Sequence, residues 1–113
     1  MSIDRRIHPR VLVDIETEIG VDASLHVQTM ENLSLGGCFV RSESPEPLGS
    51  IVMVRFSLPG DPSARSVRAA GRVAWTKPDP VTGAPYGMGI QFLKVEDADL
   101  ELLMSYITGY ANS

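Results

Sequence analysis

Apolar and polar residues alternate with a period of two along most of the chain up to residue 94. In the segment from Val11 to Val21, apolar side chains and Thr17 occupy every second position, and acidic residues lie between them. Successive side chains of a β-strand point to opposite faces, so this pattern predicts a long strand with one buried face and one acidic face. The same alternation recurs further along and favours an all-β fold.

Glycine- and proline-rich segments divide this alternation into about six predicted strands. The predicted strands cover residues 11–21, 25–30, 38–40, 51–58, 66–76 and 86–93. In the fifth strand, the residues predicted to share the apolar face are Val67, Ala69, Val73 and Trp75. In the sixth, they are Tyr86, Met88, Ile90 and Phe92.

The period changes near the C-terminus. Leu100, Leu103, Met104 and Ile107 recur at the spacing i, i+3, i+4, i+7 of an amphipathic helix, and Gly109 predicts its end. The sequence therefore predicts one mainly β domain over residues 1–113. In it, residues 1–10 form a flexible arm, residues 11–94 a six-stranded antiparallel β-barrel, and residues 96–109 a C-terminal α-helix that covers one barrel opening.

Composition excludes several classes of protein. A net charge of −4 argues against a surface that coats nucleic acid, as does the small number of aromatic residues. The single cysteine, Cys38, cannot form a disulfide within the chain and is predicted to be a small buried side chain. The chain has no membrane-spanning apolar run and no secretory signal pattern at its start, so we expect a cytoplasmic protein.

A cluster of arginines precedes the first predicted strand, at Arg5, Arg6 and Arg10. Pro9 fixes its own φ and disfavours helix at His8, so this segment is predicted to be an extended arm. Guanidinium groups can fork onto phosphate oxygens, pair with the O6/N7 edge of guanine or stack on a base. On its own, the pattern R-x-x-x-R is more typical of a solvated basic tail than of a binding site.

A second polar motif, N-x-S-x-x-G, follows about one hairpin later. In extended backbone Asn32 and Ser34 point to the same side, where they offer an amide and a hydroxyl to a ligand. Gly36 and Gly37 permit a positive φ and a close approach of a ligand to the backbone. On its own, this motif is more typical of a turn between two strands than of a binding site.

Together the two motifs resemble the signature of the PilZ domain, the bacterial receptor domain for cyclic di-GMP. That signature is R-x-x-x-R followed by [D/N]-x-S-x-x-G, and it matches at Arg6, Arg10, Asn32, Ser34 and Gly37. A weaker family pattern is a Gly-x-Val-x-Trp strand followed by a glycine-rich strand that ends in phenylalanine. It matches residues 71–75 and 86–92, so the resemblance covers residues 5 to about 93.

The resemblance implies a six-stranded barrel with a C-terminal helix, in agreement with the periodicity. It also implies a cyclic di-GMP receptor without catalytic activity or cofactor, whose arm folds over the ligand while the second motif forms the floor. The predicted ligand-binding residues are Arg5, Arg6, Arg10, Asn32, Ser34, Gly36, Gly37 and Trp75, the last at the rim.

Two positions qualify this implication. The family has Asp or Asn at the position of Asn32, and an Asn presents one acceptor where an Asp accepts from two guanine donors, so weaker binding is expected. In PilZ domains an arginine at the position of Arg5 tends to accompany a stacked pair of ligand molecules. One or two ligands per domain therefore remain open.

The receptor is expected to order its arm on binding and to signal to a separate partner protein. The alternative is a PilZ-like adaptor with weak or no nucleotide binding that acts through protein–protein contacts. An enzyme is not expected, because no nucleophile-elbow motif is present. A zinc site is not expected either, because His8, His26 and Cys38 do not have metal-ligand spacing. The oligomeric state is open.

Overall fold

Antiparallel strands build this protein and a helix follows them. A computed structural model describes residues 10–21, 24–61 and 65–111. Within these ranges the strands are β1 (Val11–Val21), β2 (Ser24–Ser34), β3 (Gly37–Arg41), β4 (Ile51–Ser57), β5 (Ser66–Pro78) and β6 (Pro85–Val95), and the helix is α1 (Asp97–Ala111). The strands close into a barrel in the order β1-β2-β3-β6-β5-β4. The predicted mainly β fold is therefore confirmed.

The apolar set of each strand points into the barrel and forms its core. Thr17 is fully buried among these side chains, and its hydroxyl is satisfied by donating to the carbonyl of Ile15 at 3.0 Å. Cys38 is also part of the core, and burial raises the pKa of its thiol to about 12. The buried apolar cluster consists of Val11, Ile15, Ile19, Met30, Leu33, Cys38, Val40, Val52, Val54, Phe56, Leu58, Val67, Val73, Met88, Ile90, Leu103 and Ile107.

Irregularities in strand pairing interrupt the alternation, and one of them overturns a prediction. The register of β5 against β6 shifts between Val73 and Trp75, so Ala74 is an extra residue. A shift of one residue exchanges the two faces of a strand. Val73 therefore stays in the core while Trp75 is 40% exposed on the outside, and the prediction that the two share a face is wrong.

The helix lies against the barrel through its apolar side and one carboxylate. Leu103 and Ile107 are buried, as predicted, whereas Met104 is exposed and Leu102 and Tyr106 pack against the core in addition. Gly109 does not end the helix: its φ is not positive, so it does not form the left-handed C-terminal cap, and α1 continues to Ala111.

Asp99, in the first turn of α1, ties the helix to β5. Its side chain is buried, accepts a hydrogen bond from the backbone N–H of Arg68 at 3.2 Å and pairs with the Arg65 guanidinium at 3.3 Å. Arg65 also donates to the carbonyl of Ala98 at 3.0 Å. Across the described ranges, no helix is both long and apolar enough to cross a membrane.

Candidate functional site

The second motif lies on the outer surface of the barrel. We call the outer surface of β2, β3, β6 and β5 the signature face. Strand register places Asn32 beside Phe39, Phe39 beside Gly89 and Gly89 beside Trp75, so these four residues form one row across it. A second row contains Ser34, Gly37, Gln91 and Arg72. Residues distant in the sequence therefore share one continuous surface.

Asn32 faces outward because β2 contains a bulge. Met30 pairs with Val40 and Asn32 with Phe39, which leaves Glu31 as the extra residue. The bulge allows Met30 and Leu33, three positions apart, to be buried in the same core. The side chain of Asn32 is consequently left half-buried on the signature face.

Ser34 holds the turn that links β2 to β3. It is 7% exposed; its hydroxyl accepts from the N–H of Gly36 at 3.1 Å and donates to the carbonyl of Gly37 at 3.3 Å. The carbonyl of Gly36 in turn accepts from the N–H of Phe92 at 2.9 Å. The hydroxyl thus sets the shape of the turn beside Asn32.

Gly37 is required by the contact between β3 and β6. A Cβ built on it would lie 2.1 Å from the carbonyl oxygen of Ile90, so a larger residue would push the strands apart. Neither Gly36 nor Gly37 has a positive φ, so the left-handed backbone that glycine permits is not used at these positions. Close packing of β3 against β6 therefore requires glycine at position 37 of the second motif.

Three aromatic rings stack on the signature face. The Trp75 ring lies across Gly89, where an added Cβ would be 2.0 Å from the indole. Phe39 stacks on Trp75 with a centroid distance of 5.2 Å and on Tyr86 with one of 6.0 Å. Tyr86 was predicted to share the apolar face of Met88; its ring instead joins this outer stack. The exposed indole thus presents a flat apolar surface beside the second motif.

Arginines flank the two rows. Arg10 is exposed and directly precedes Val11, which pairs with Leu33, so the antiparallel register places Arg10 opposite Ser34. Arg72 is exposed at the other side, and its guanidinium donates to Gln91 Oε1 at 2.8 Å. Arg5 and Arg6 lie outside the described residues. The surface between Arg10 and Arg72 is therefore bordered by cations.

Several residues of this surface were not predicted from the sequence. They are Glu31, Phe39, Arg41, Arg72, Lys77, Tyr86 and Gln91. A signal for one of them, Phe39, was present, because Gly87 and Gly89 alternate along β6 and leave room for the rings of Phe39 and the predicted Trp75. Arg72 also stood on the polar side of its strand, but nothing in the sequence related that strand to the second motif.

Other parts of the described chain offer no competing chemical site. One open groove of about 560 Å³ lies between β1 and β4 and contains Asp14, Glu16 and Glu18. Another, of about 600 Å³, lies beside the β5–β6 loop and adjoins the signature face, since Arg41 and Tyr86 line it. Within residues 10–21, 24–61 and 65–111, no three potential metal ligands come together. The signature face is thus the candidate site.

Replacing Gly89 with alanine tests the ring arrangement. The added methyl group would occupy the space of the Trp75 indole, so we expect a loss of about 1–3 kcal/mol in unfolding free energy. Because Trp75 is the sole tryptophan of the sequence, its fluorescence should also shift. Urea unfolding followed by tryptophan emission measures both effects.

Gly109→Ala is the matched control, because an added Cβ there meets no atom within 4 Å. It lies in α1, so it should raise stability by about 0.5–1 kcal/mol and leave the emission unchanged. Equal stability of Gly89→Ala and the parent protein would contradict the ring arrangement.

Comparisons with known proteins agree with this architecture. A family model of the PilZ domain matches residues 4–109. The structure of Bacillus subtilis inhibitor of motility (MotI/DgrA) superposes with a TM-score of 0.82 at 20% identity, covering 98% of this chain and 54% of that one. The comparison with curated proteins gave no match.

Two further similar structures contain c-di-GMP. The K. pneumonia MrkH–c-di-GMP complex has a TM-score of 0.70 at 12% identity, over 96% of this chain and 53% of that chain. The PilZ domain of Escherichia coli YcgR with c-di-GMP has a TM-score of 0.68 at 13% identity, over 96% of both chains. The present chain thus spans about half the length of the MotI and MrkH chains, and at these identities the likeness shows the fold.

Proposed function

The chain belongs to the PilZ domain family, and we propose that it is a receptor that binds cyclic di-GMP on the signature face without catalysing a reaction. The observation that carries the proposal is that Asn32 and Trp75 share one row, and that Arg10 and Arg72 lie at the two ends of the neighbouring row of Ser34 and Gln91. An amide, a flat ring and cations are the groups that bind a base edge, a base plane and phosphates. The two c-di-GMP-bound neighbours of the same fold support it.

The distance across the sheet from Asn32 to the Trp75 ring can accommodate one guanine base. Asn32 and Gly89 are two strands apart, which corresponds to about 10 Å. The indole of Trp75 lies over Gly89, so it extends toward Asn32. A guanine stacked on the indole can therefore turn its edge toward the Asn32 amide. Base stacking on an aromatic side chain contributes about 1–3 kcal/mol.

The phosphates require cations at the edge of this surface. We assign that role to Arg6 and Arg10, with Arg5 as a third cation, on the strength of the family signature. Arg10 lies opposite Ser34 by register, which brings the start of β1 to the second motif. Closure of residues 1–10 over the ligand would then change the surface that the protein presents to a partner.

A second candidate function is a PilZ adaptor that binds nucleotide weakly or not at all. Two observations favour it: Asn32 offers one acceptor where an Asp would offer two, and the Ser34 hydroxyl is engaged by Gly36 and Gly37. The bond to Gly37 is long at 3.3 Å, so a ligand can replace it at little cost. The receptor therefore remains the favoured function.

Calorimetric titration with cyclic di-GMP separates the two candidates. The receptor predicts binding that weakens as salt is raised, because the arginines neutralise phosphates. Arg6→Ala and Arg10→Ala should each abolish the heat of binding. Arg68→Ala, which removes an exposed arginine of β5 outside both rows, should leave it unchanged. Absence of heat with the folded parent protein would contradict the receptor and support the adaptor.

Asn32 provides a test of guanine recognition. A carboxylate accepts stronger hydrogen bonds than an amide oxygen, so Asn32→Asp should tighten cyclic di-GMP binding by roughly tenfold. Binding of cyclic di-AMP, which lacks the guanine donors, should not improve. Competition between the two nucleotides measures the ratio of their affinities. An equal gain for both would show that Asn32 does not read the base edge.

A further inference from the structure

We propose that Tyr86 and Arg41 are positioning residues that hold the Glu31 carboxylate away from an anionic ligand on the signature face. The inference rests on the proposed function. The Glu31 carboxylate is a negative charge next to Asn32, and a dianionic nucleotide would have to bind at Asn32. The side chains of Glu31, Arg41 and Tyr86 and the bulge of β2 together set the position of this charge.

The bulge places Glu31 on the same side as Asn32. Glu31 is the extra residue between the pairs Met30–Val40 and Asn32–Phe39. Its side chain contacts Arg41, which is exposed and stands two residues after Phe39 on β3, so it lies on the same side of the strand as Phe39. The Glu31 carboxylate therefore belongs to the signature face, although plain alternation would have turned it away from Asn32.

Contacts to two neighbouring strands fix the position of this carboxylate. The Tyr86 hydroxyl lies 2.9 Å from Oε2 and 3.2 Å from Oε1 of Glu31, and donates to it. Arg41 Nη1 lies 3.5 Å from Oε2. The Tyr86 ring is itself held by stacking on Phe39. The carboxylate thus points toward the Arg41 side of the face, away from the row of Ser34 and Gly37.

Charge explains why this position matters. A hydrogen bond from a hydroxyl to a carboxylate is among the stronger kinds, whereas the partly exposed ion pair with Arg41 is weak. Without the Tyr86 hydroxyl, Glu31 is free to turn toward Arg10 or Asn32. There it would compete with the ligand for its donors and repel the phosphates.

Tyr86→Phe tests the proposal, because it removes the hydroxyl and keeps the stacked ring. We expect cyclic di-GMP binding to weaken by about fivefold in low salt, and by less as salt screens the charge. Glu31→Gln alone should bind at least as tightly as the parent protein. The double variant Tyr86→Phe/Glu31→Gln should recover the parent affinity, since the repelling charge is gone.

Matched controls are Tyr106→Phe on α1 and Glu16→Gln on the outer side of β1, neither of which should change binding. Urea unfolding verifies that each variant is folded. If the parent protein binds and Tyr86→Phe binds equally well, this inference alone is overturned. If Tyr86→Phe binds more weakly and the added Glu31→Gln does not restore binding, the inference is also overturned, because the loss would then be structural. A parent protein that does not bind overturns the receptor function and this inference together.

Discussion

Burial of the apolar side chains inside a closed barrel decides where every residue of the site points. Met30 and Leu33 are both fully buried although they are three positions apart, so β2 must contain an extra residue between them. The same requirement on β5 keeps Val73 inside and turns Trp75 outward. The signature face is thus a consequence of core packing, because a strand without these bulges would bury the wrong side chains.

Local charge on this face differs from the charge of the whole chain. The protein carries a net charge of −4, yet Arg10, Arg41 and Arg72 border the signature face. Acidic residues such as Asp14 and Glu16 lie on the outer side of β1. A protein of this kind can attract an anionic nucleotide to one surface without binding nucleic acid generally.

Much of the fold could be predicted from alternation, since Val11–Val21 is a strand as expected and the helix follows near its predicted start. The faces of Trp75 and Tyr86 could not, because two bulges in the pairing of β5 with β6 set them. Ala74 is the extra residue before Trp75, and Tyr86 is itself the extra residue on β6 between Pro85 and Gly87. The second motif, N-x-S-x-x-G, indicated Asn32 and Ser34. It could not indicate Arg72 or Tyr86, because they reach this surface only through strand pairing. The sequence motif contains Gly37, but the close contact of Gly37 with Ile90 on β6 is visible only in the structure.

The central claim is that cyclic di-GMP binds across β2, β3, β6 and β5 on the outside of the barrel. Mapping amide and indole resonances by NMR during titration with cyclic di-GMP tests it most directly. The account predicts saturable shifts at Asn32, Gln91 and the Trp75 indole, with little change at Glu18 and Arg55 on the opposite side. Shifts confined to β1 and β4, or none at saturating nucleotide, would contradict it.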